Sequence, residues 1–344
     1  MQSVRFTRAA DGLSLAWARS GSGPPLVKTS NWLTHLKHDQ ESPLWKHWIT
    51  FLERHFDYLR YDERGCGMSD REPGALSLDV WLDDMERVIA ASQIETPFAL
   101  LGLSQGATTA IAYAHRHPER VSQLILFGGY ARGTFCRGDD EAEILYRGIL
   151  DVLRTGWHQP VPAFREVFTR KFVPDGPPDR IAWFNDLVLR TTGPDAAQAL
   201  LLARAEIDVE PLLAEITCPT IVLHCEDDMA VPFEEGARIA RGIPGAEFVA
   251  LPGRNHILQV DEPAWAQFTD AVLSATGCAE SAAPDLTLRE REILDLICAA
   301  LSNKAIAREL GVSEKTVRNH ATHLFAKLGV ASRQEAILKM RGAA

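Results

Sequence analysis

Three side-chain types able to do chemistry together occur in a telling order: Ser104 within "GLSQG", a carboxylate cluster in "CEDD" at 225–228, and His256 within "GRNH". A serine hydroxyl is a poor nucleophile until a histidine accepts its proton and a carboxylate holds that histidine. Serine, acid and histidine follow one another along this chain. Gly102 and Gly106 flank Ser104 at two residues on either side, where side chains would collide if the backbone doubled back. The helix expected after Ser104 points unpaired N–H groups at developing negative charge, so the Gln105 amide is a candidate oxyanion donor. Other histidines have plainer readings. His115 and His117 should lie at the surface at a helix end, and His224, inside a strand, should be a packed side chain. The six cysteines show no C-x-x-C pairing, and neither a metal-ligand spacing nor a glycine-rich phosphate loop occurs. No cofactor, metal site or disulfide framework is therefore expected.

These residues need elements to carry them. "SVRFTRAADGLSLAWARSG" reads as a hairpin about Asp11-Gly12. Apolar runs at "PLVKTS", "FDYLRYD", 97–103, 121–128, "TIVLHC" and 246–251 then alternate with helical stretches, including "SLDVWLDDMERVIAAS", 105–116, 233–241 and 263–275. That alternation predicts an α/β fold with a parallel sheet covered on both faces. Ser104, the carboxylate cluster and His256 all fall at carboxyl ends of strands, on one edge of that sheet. Residues 131–215 break the rhythm with helices, prolines and aromatics, and read as a helical cap over the same edge. Trp183 and Phe184 are candidates to line a pocket beneath it.

With "YDERGCGMSD" at 61–70 beside GLSQG, the acid strand and GRNH, residues 1–276 resemble an α/β-hydrolase with a cap. The resemblance implies a Ser-Asp-His triad of Ser104, Asp228 and His256, with Asp227 as runner-up for the acid. The small residue ending the acid strand, usually glycine in that family, is Cys225. Relatives also carry His-Gly at the exit of the first parallel strand, followed by a residue whose N–H completes the oxyanion hole. Here Ser30-Asn31-Trp32 stands there, which implies Trp32 as donor, with Asn31 and Trp32 bordering the ligand pocket. A lost donor costs about 10²–10³ in rate, so weak turnover is expected.

The last sixty residues have another character. The net charge of −10 divides into +3 from Asp285 onward and −13 before it, so the two parts should have different partners. Four helices are expected, with Thr287 and Glu290 forming a capping box, and Ser302, Ser313 and Ser332 starting the next three. Gly311 and Gly329 end the second and third. Helical spacing turns Val317, Ala321, Leu324 and Leu328 inward and Lys315, Arg318, Asn319 and Thr322 outward, the residue types that contact phosphates and base edges. Residues 286–341 resemble the LuxR-type helix-turn-helix family in Arg289-Glu290, Ser302-Asn303-Lys304, Ile306-Ala307, Leu310-Gly311, Thr316-Val317, His320 and Lys327-Leu328-Gly329. The resemblance implies that Arg318, Asn319 and Thr322 read bases and that Lys315 contacts phosphate or base. His320 would support packing or a phosphate.

The expected organisation is an α/β-hydrolase domain at 1–276, a linker at 277–285 and an all-α four-helix DNA-binding domain at 286–344. No apolar run long enough for a membrane span and no secretory leader is seen, so a cytoplasmic location is expected. The function expected is ligand-responsive transcription regulation by a homodimer on double-stranded operator DNA, with a small ester, lactone or amide bound or slowly hydrolysed under the cap. The alternative is a metabolic serine hydrolase whose tail is incidental.

Overall fold

Short β-rich runs bounded by turn residues alternate with amphipathic helices through the first three quarters of the chain. The computed structural model, which describes residues 3–278, 288–298, 301–328, 330 and 332–340, turns that pattern into one layered unit. Strands β1 (Val4–Arg8) and β2 (Ser14–Ser20) form the hairpin around Asp11-Gly12. Strand β3 (Pro25–Lys28), helix α1 (Lys46–His55), strand β4 (Asp57–Tyr61), helix α2 (Leu78–Ser92), strand β5 (Phe98–Leu103), helix α3 (Gly106–Arg116) and strand β6 (Val121–Phe127) follow. After an insertion come β7 (Thr220–Cys225), α8 (Phe233–Gly242), β8 (Glu247–Leu251) and α9 (Pro263–Ala275).

The strands form a single sheet in the order β1-β2-β4-β3-β5-β6-β7-β8. It is mixed rather than wholly parallel. From β4 through β8 every pairing is parallel, whereas β2 pairs antiparallel with both β1 and β4. The hairpin needs no crossover helix, so it extends the sheet at one edge. Central strands β5 and β7 are buried along their whole length, as expected where helices cover both faces.

The insertion between β6 and β7 holds helices α4 (Asp140–Gly156), α5 (Ala163–Phe172), α6 (Pro178–Thr191) and α7 (Pro194–Ala205). The Asp139 carboxylate accepts from the Ala142 N–H at 2.9 Å and starts α4, while prolines open α6 and α7. Arg204 pins this cap to the loop after β4 and to helices α2 and α3. It donates to Glu63 and to Thr109, each at 2.9 Å, with its guanidinium 3.6 Å from the Trp81 ring centroid.

A second compact unit comprises residues 279–344, and the first closes at Cys278. Its helices are α10 (Leu288–Cys298), α11 (Asn303–Glu309), α12 (Glu314–Leu328) and α13 (Arg333–Met340). Their core gathers Ile293, Ile297, Ile306, Val317, Leu324 and Ala336. Ser302, Ser313 and Ser332 each accept a hydrogen bond from the backbone N–H three residues on, as N-caps do. Gly311 takes a φ of +64° after α11, the left-handed turn expected of a helix-ending glycine. Thr287, Gly329 and linker residues 279–285 lie outside the described residues. Among those described, no helix is long and apolar enough to cross a membrane.

Candidate active site and nucleic-acid interface

Ser104 sits between β5 and α3 with φ of +53°, a left-handed conformation unusual for a residue with a side chain. The turn holds because its neighbours give way. A Cβ on Gly102 would come within 2.8 Å of the Ala110 Cβ, and one on Gly106 within 2.5 Å of the Thr29 Oγ1. The Ser104 N–H donates to the Phe127 carbonyl at 2.9 Å, tying the turn to the end of β6.

Asp228 and His256 arrive from the ends of β7 and β8. The His256 Nδ1 lies 2.7 Å from the Asp228 Oδ2. The other carboxylate oxygen accepts from the Ala230 and Val231 N–H groups at 2.8 and 3.0 Å, so the acid is held from both sides. Burial pushes the Asp228 pKa up, but the facing His256, its hydrogen bond, nearby His224 and the Val231 N–H outweigh burial. The carboxyl therefore stays below its ordinary value. Asp227 is exposed, and the structure brings Asp228, not Asp227, to the histidine. The His256 and Ile257 N–H groups both donate to the Phe172 carbonyl, at 2.9 and 3.1 Å, so the cap braces the histidine loop. His256 and Ser104 line one small cavity with Asn31, Trp32 and Phe172.

Among the described residues, the backbone N–H groups of Trp32 and Gln105 take no protein acceptor, as an oxyanion hole requires. The loop that carries Trp32 rests on a side chain the sequence reading passed over. The buried Lys28 ammonium donates to the Thr29 carbonyl at 3.1 Å and to the Asn31 Oδ1, while the Asn31 amide donates to the Trp32 carbonyl at 2.9 Å. Burial lowers the Lys28 pKa to about 8. A lysine at the end of an otherwise apolar strand was the signal for it. Asp62, first residue of the Asp-x-Arg-Gly loop, accepts from Leu36 and Met68 and anchors the far end of the same segment. The Gln105 amide side chain reaches Glu63 at 3.4 Å, which links the elbow to the Arg204 ion pair.

Beneath the cap lies a cavity of about 240 Å³ that Ser104, Gln105 and Asp228 border. Its apolar walls come from Trp32, Tyr146, Ile149, Phe168, Phe172 and Leu201. Trp183 and Phe184, expected to line it, lie outside this lining. Their helix, α6, forms the next layer out, with Phe184 buried and its ring 5.7 Å from that of Phe172, so α5 presents the wall instead. Arg137 and Lys171 also border the cavity, and no motif flagged either. His224 is buried, 3.0 Å from the Val231 carbonyl, while His115 and His117 lie at the surface beside Glu215 and Glu86.

In the second unit, α12 buries Val317, Ala321, Leu324 and Leu328 and exposes Lys315, Arg318, Asn319 and Thr322 together on its opposite side. The Thr322 hydroxyl donates to the Arg318 carbonyl at 3.0 Å, and Glu314 lies 3.7 Å from the Arg318 guanidinium. The Ser313 hydroxyl caps the helix that carries the face.

Comparison with known proteins bears on both units. Residues 48–263 match the family described as serine aminopeptidase, S33, and residues 284–340 match bacterial regulatory proteins, luxR family. The AB hydrolase superfamily protein YisY of Bacillus subtilis is 27% identical over 238 residues, 69% of this chain and 86% of that protein. The spore germination protein GerE of the same organism is 47% identical over 57 residues, 17% of this chain and 77% of that protein. A crystal structure of a hydrolase from Pseudomonas aeruginosa superposes with a TM-score of 0.66 at 26% identity, over 80% of this chain and 98% of that one.

Proposed function

The chain belongs to the serine aminopeptidase S33 family through residues 48–263 and to the luxR family of regulatory proteins through residues 284–340, and on that premise we propose a ligand-responsive transcription regulator. Its hydrolase-fold domain binds a small organic ester, lactone or amide beneath the cap. Its C-terminal domain binds operator DNA as part of a homodimer, with Arg318, Asn319 and Thr322 at base edges and Lys315 on phosphate or base. Occupancy of the cavity shifts the body between two arrangements with different DNA affinity.

The observation that carries this reading is the coexistence in one chain of Ser104, Asp228 and His256 around the cavities under the cap and an exposed polar face on α12. The 2.7 Å His256–Asp228 contact and the left-handed Ser104 turn favour retained chemistry. In the step proposed, the Ser104 Oγ attacks the acyl carbon while His256 takes its proton. The oxyanion is held by the Trp32 and Gln105 N–H groups. Collapse expels the alcohol or amine, protonated by His256, and leaves an acyl-serine that water then hydrolyses by the same route. The departure at Ser30-Asn31-Trp32 favours slow turnover, which in a regulator erases the signal gradually.

Native mass spectrometry of the purified full chain tests this. A co-purified small molecule, or an acyl adduct absent from Ser104→Ala, is the expected result. Brisk turnover of simple esters together with no sequence-specific DNA binding would instead favour a metabolic hydrolase.

A further inference from the structure

The cavity under the cap is unevenly charged. Lys171, at the end of α5, borders it and forms no ion pair or hydrogen bond among the described residues. Burial and the neighbouring Arg137 lower its pKa, while Asp228 opposes them. The carboxylates near these cations are already engaged. Asp228 is held by His256 and two backbone N–H groups. The buried Glu235 lies 3.9 Å from Arg137 and 3.5 Å from Arg238. Arg137 donates through its Nε to the Arg132 carbonyl at 2.9 Å, and its guanidinium lies 5.3 Å from the Tyr130 ring centroid. Its two Nη groups take no hydrogen-bond partner among the described residues.

An ammonium partly withdrawn from water with no ion-pair or hydrogen-bond partner is costly unless something else supplies one. The same cavity has apolar walls from Trp32, Phe168, Phe172 and Leu201. We propose that the ligand of this cavity is an anion at one end: an ester or amide whose acyl group meets Ser104 and whose far terminus is a carboxylate. An apolar spacer joins the two, and the carboxylate is received by Lys171 with the free Nη groups of Arg137 beside it. A volume of about 240 Å³ suits a compact molecule, below the roughly 300–1,000 Å³ common for drug-sized ligands. A single ammonium without an ion-pair partner beside one partly committed guanidinium matches a monoanion better than a phosphate dianion.

The assignment rests on the reading of the cavity as a ligand site, and one experiment separates the two. Full-length Ser104→Ala protein, which cannot turn the probe over, is titrated calorimetrically with monomethyl esters of straight-chain dicarboxylic acids of four to eight carbons. Each is paired with its terminal carboxamide analogue, which keeps the shape and removes the charge. The expected result is at least one acid bound about tenfold or more tighter than its amide, as charge-assisted hydrogen bonds allow. Adding Lys171→Met should bring that ratio near one, whereas Lys171→Arg should keep most of it, with unchanged thermal unfolding of both variants as the folding control. Equal binding of acids and amides overturns the carboxylate assignment and leaves the ligand site standing. Binding of neither series overturns both.

Discussion

The hydrolysis proposed at Ser104, Asp228 and His256 would depend on a few tenths of an ångström. Asp228 touches His256 at 2.7 Å and is fixed by two backbone N–H groups, so replacing it with asparagine removes the charge while keeping the shape. Hydrolysis of a p-nitrophenyl ester by Asp228→Asn is expected to fall by about 10⁴-fold, as when a triad histidine is left in the wrong tautomer. The same carboxyl makes a pH signature. Because folding lowers its pKa, its contribution to stability is fully present above the unfolded value of about 3.9 and is lost as pH falls through the folded one. The gap in melting temperature between the parent and Asp228→Asn should therefore be open at pH 6 and close as the pH drops below about 4. Ser104 and His256 were legible from residue type, glycine spacing and strand ends. The choice of Asp228 over Asp227 needed the family pattern, because adjacent carboxylates after a strand have no periodicity to separate them. Lys171 was not legible. A cation on an amphipathic cap helix looks like any solvated surface lysine until the fold closes over it.

Among the elements, the cap and the Ser104 turn are joined by a buried ion pair. Arg204 of α7 and Glu63 are each about 1% exposed and meet at 2.9 Å, and Glu63 also meets the Gln105 side chain. Breaking one side of such a pair strands the other charge, so Arg204→Met is expected to cost about 3–5 kcal/mol in urea unfolding. Adding Glu63→Gln should recover part of that loss, and no recovery would mean that packing against Trp81 dominates. In the second unit, the Ser313 hydroxyl accepts from the Thr316 N–H at 3.1 Å and starts α12. Ser313→Ala should lower stability by about 1 kcal/mol, read from the thermal unfolding of the full chain. Helix and strand positions followed the hydrophobic period closely because both faces of the sheet are covered and the tail has one small core. The period could not show which cap helix fronts the cavity. α5 and α6 are both amphipathic, and only packing places Phe168 and Phe172 inside with Phe184 behind them. The antiparallel hairpin was visible at Asp11-Gly12, but its place at the sheet edge follows from a pairing between β2 and β4 that no local signal encodes.

For the whole molecule, two compact units with opposite charge balance share one chain, and the proposed regulation requires that they be energetically coupled. Arg318→Ala is expected to abolish operator binding while leaving ligand affinity within about twofold, since Arg318 belongs to the exposed face of α12 and the cavity under the cap belongs to the other unit. The converse perturbation is the more searching one. Coupling between sites is reciprocal and typically five- to 150-fold in affinity. It should therefore appear in the full-length Ser104→Ala protein, titrated onto its operator duplex at fixed moderate salt with and without a saturating ligand. At least a fivefold change in the Kd for the duplex is expected on ligand saturation, in either direction. An unchanged Kd with a demonstrably filled cavity would mean that the two units are uncoupled.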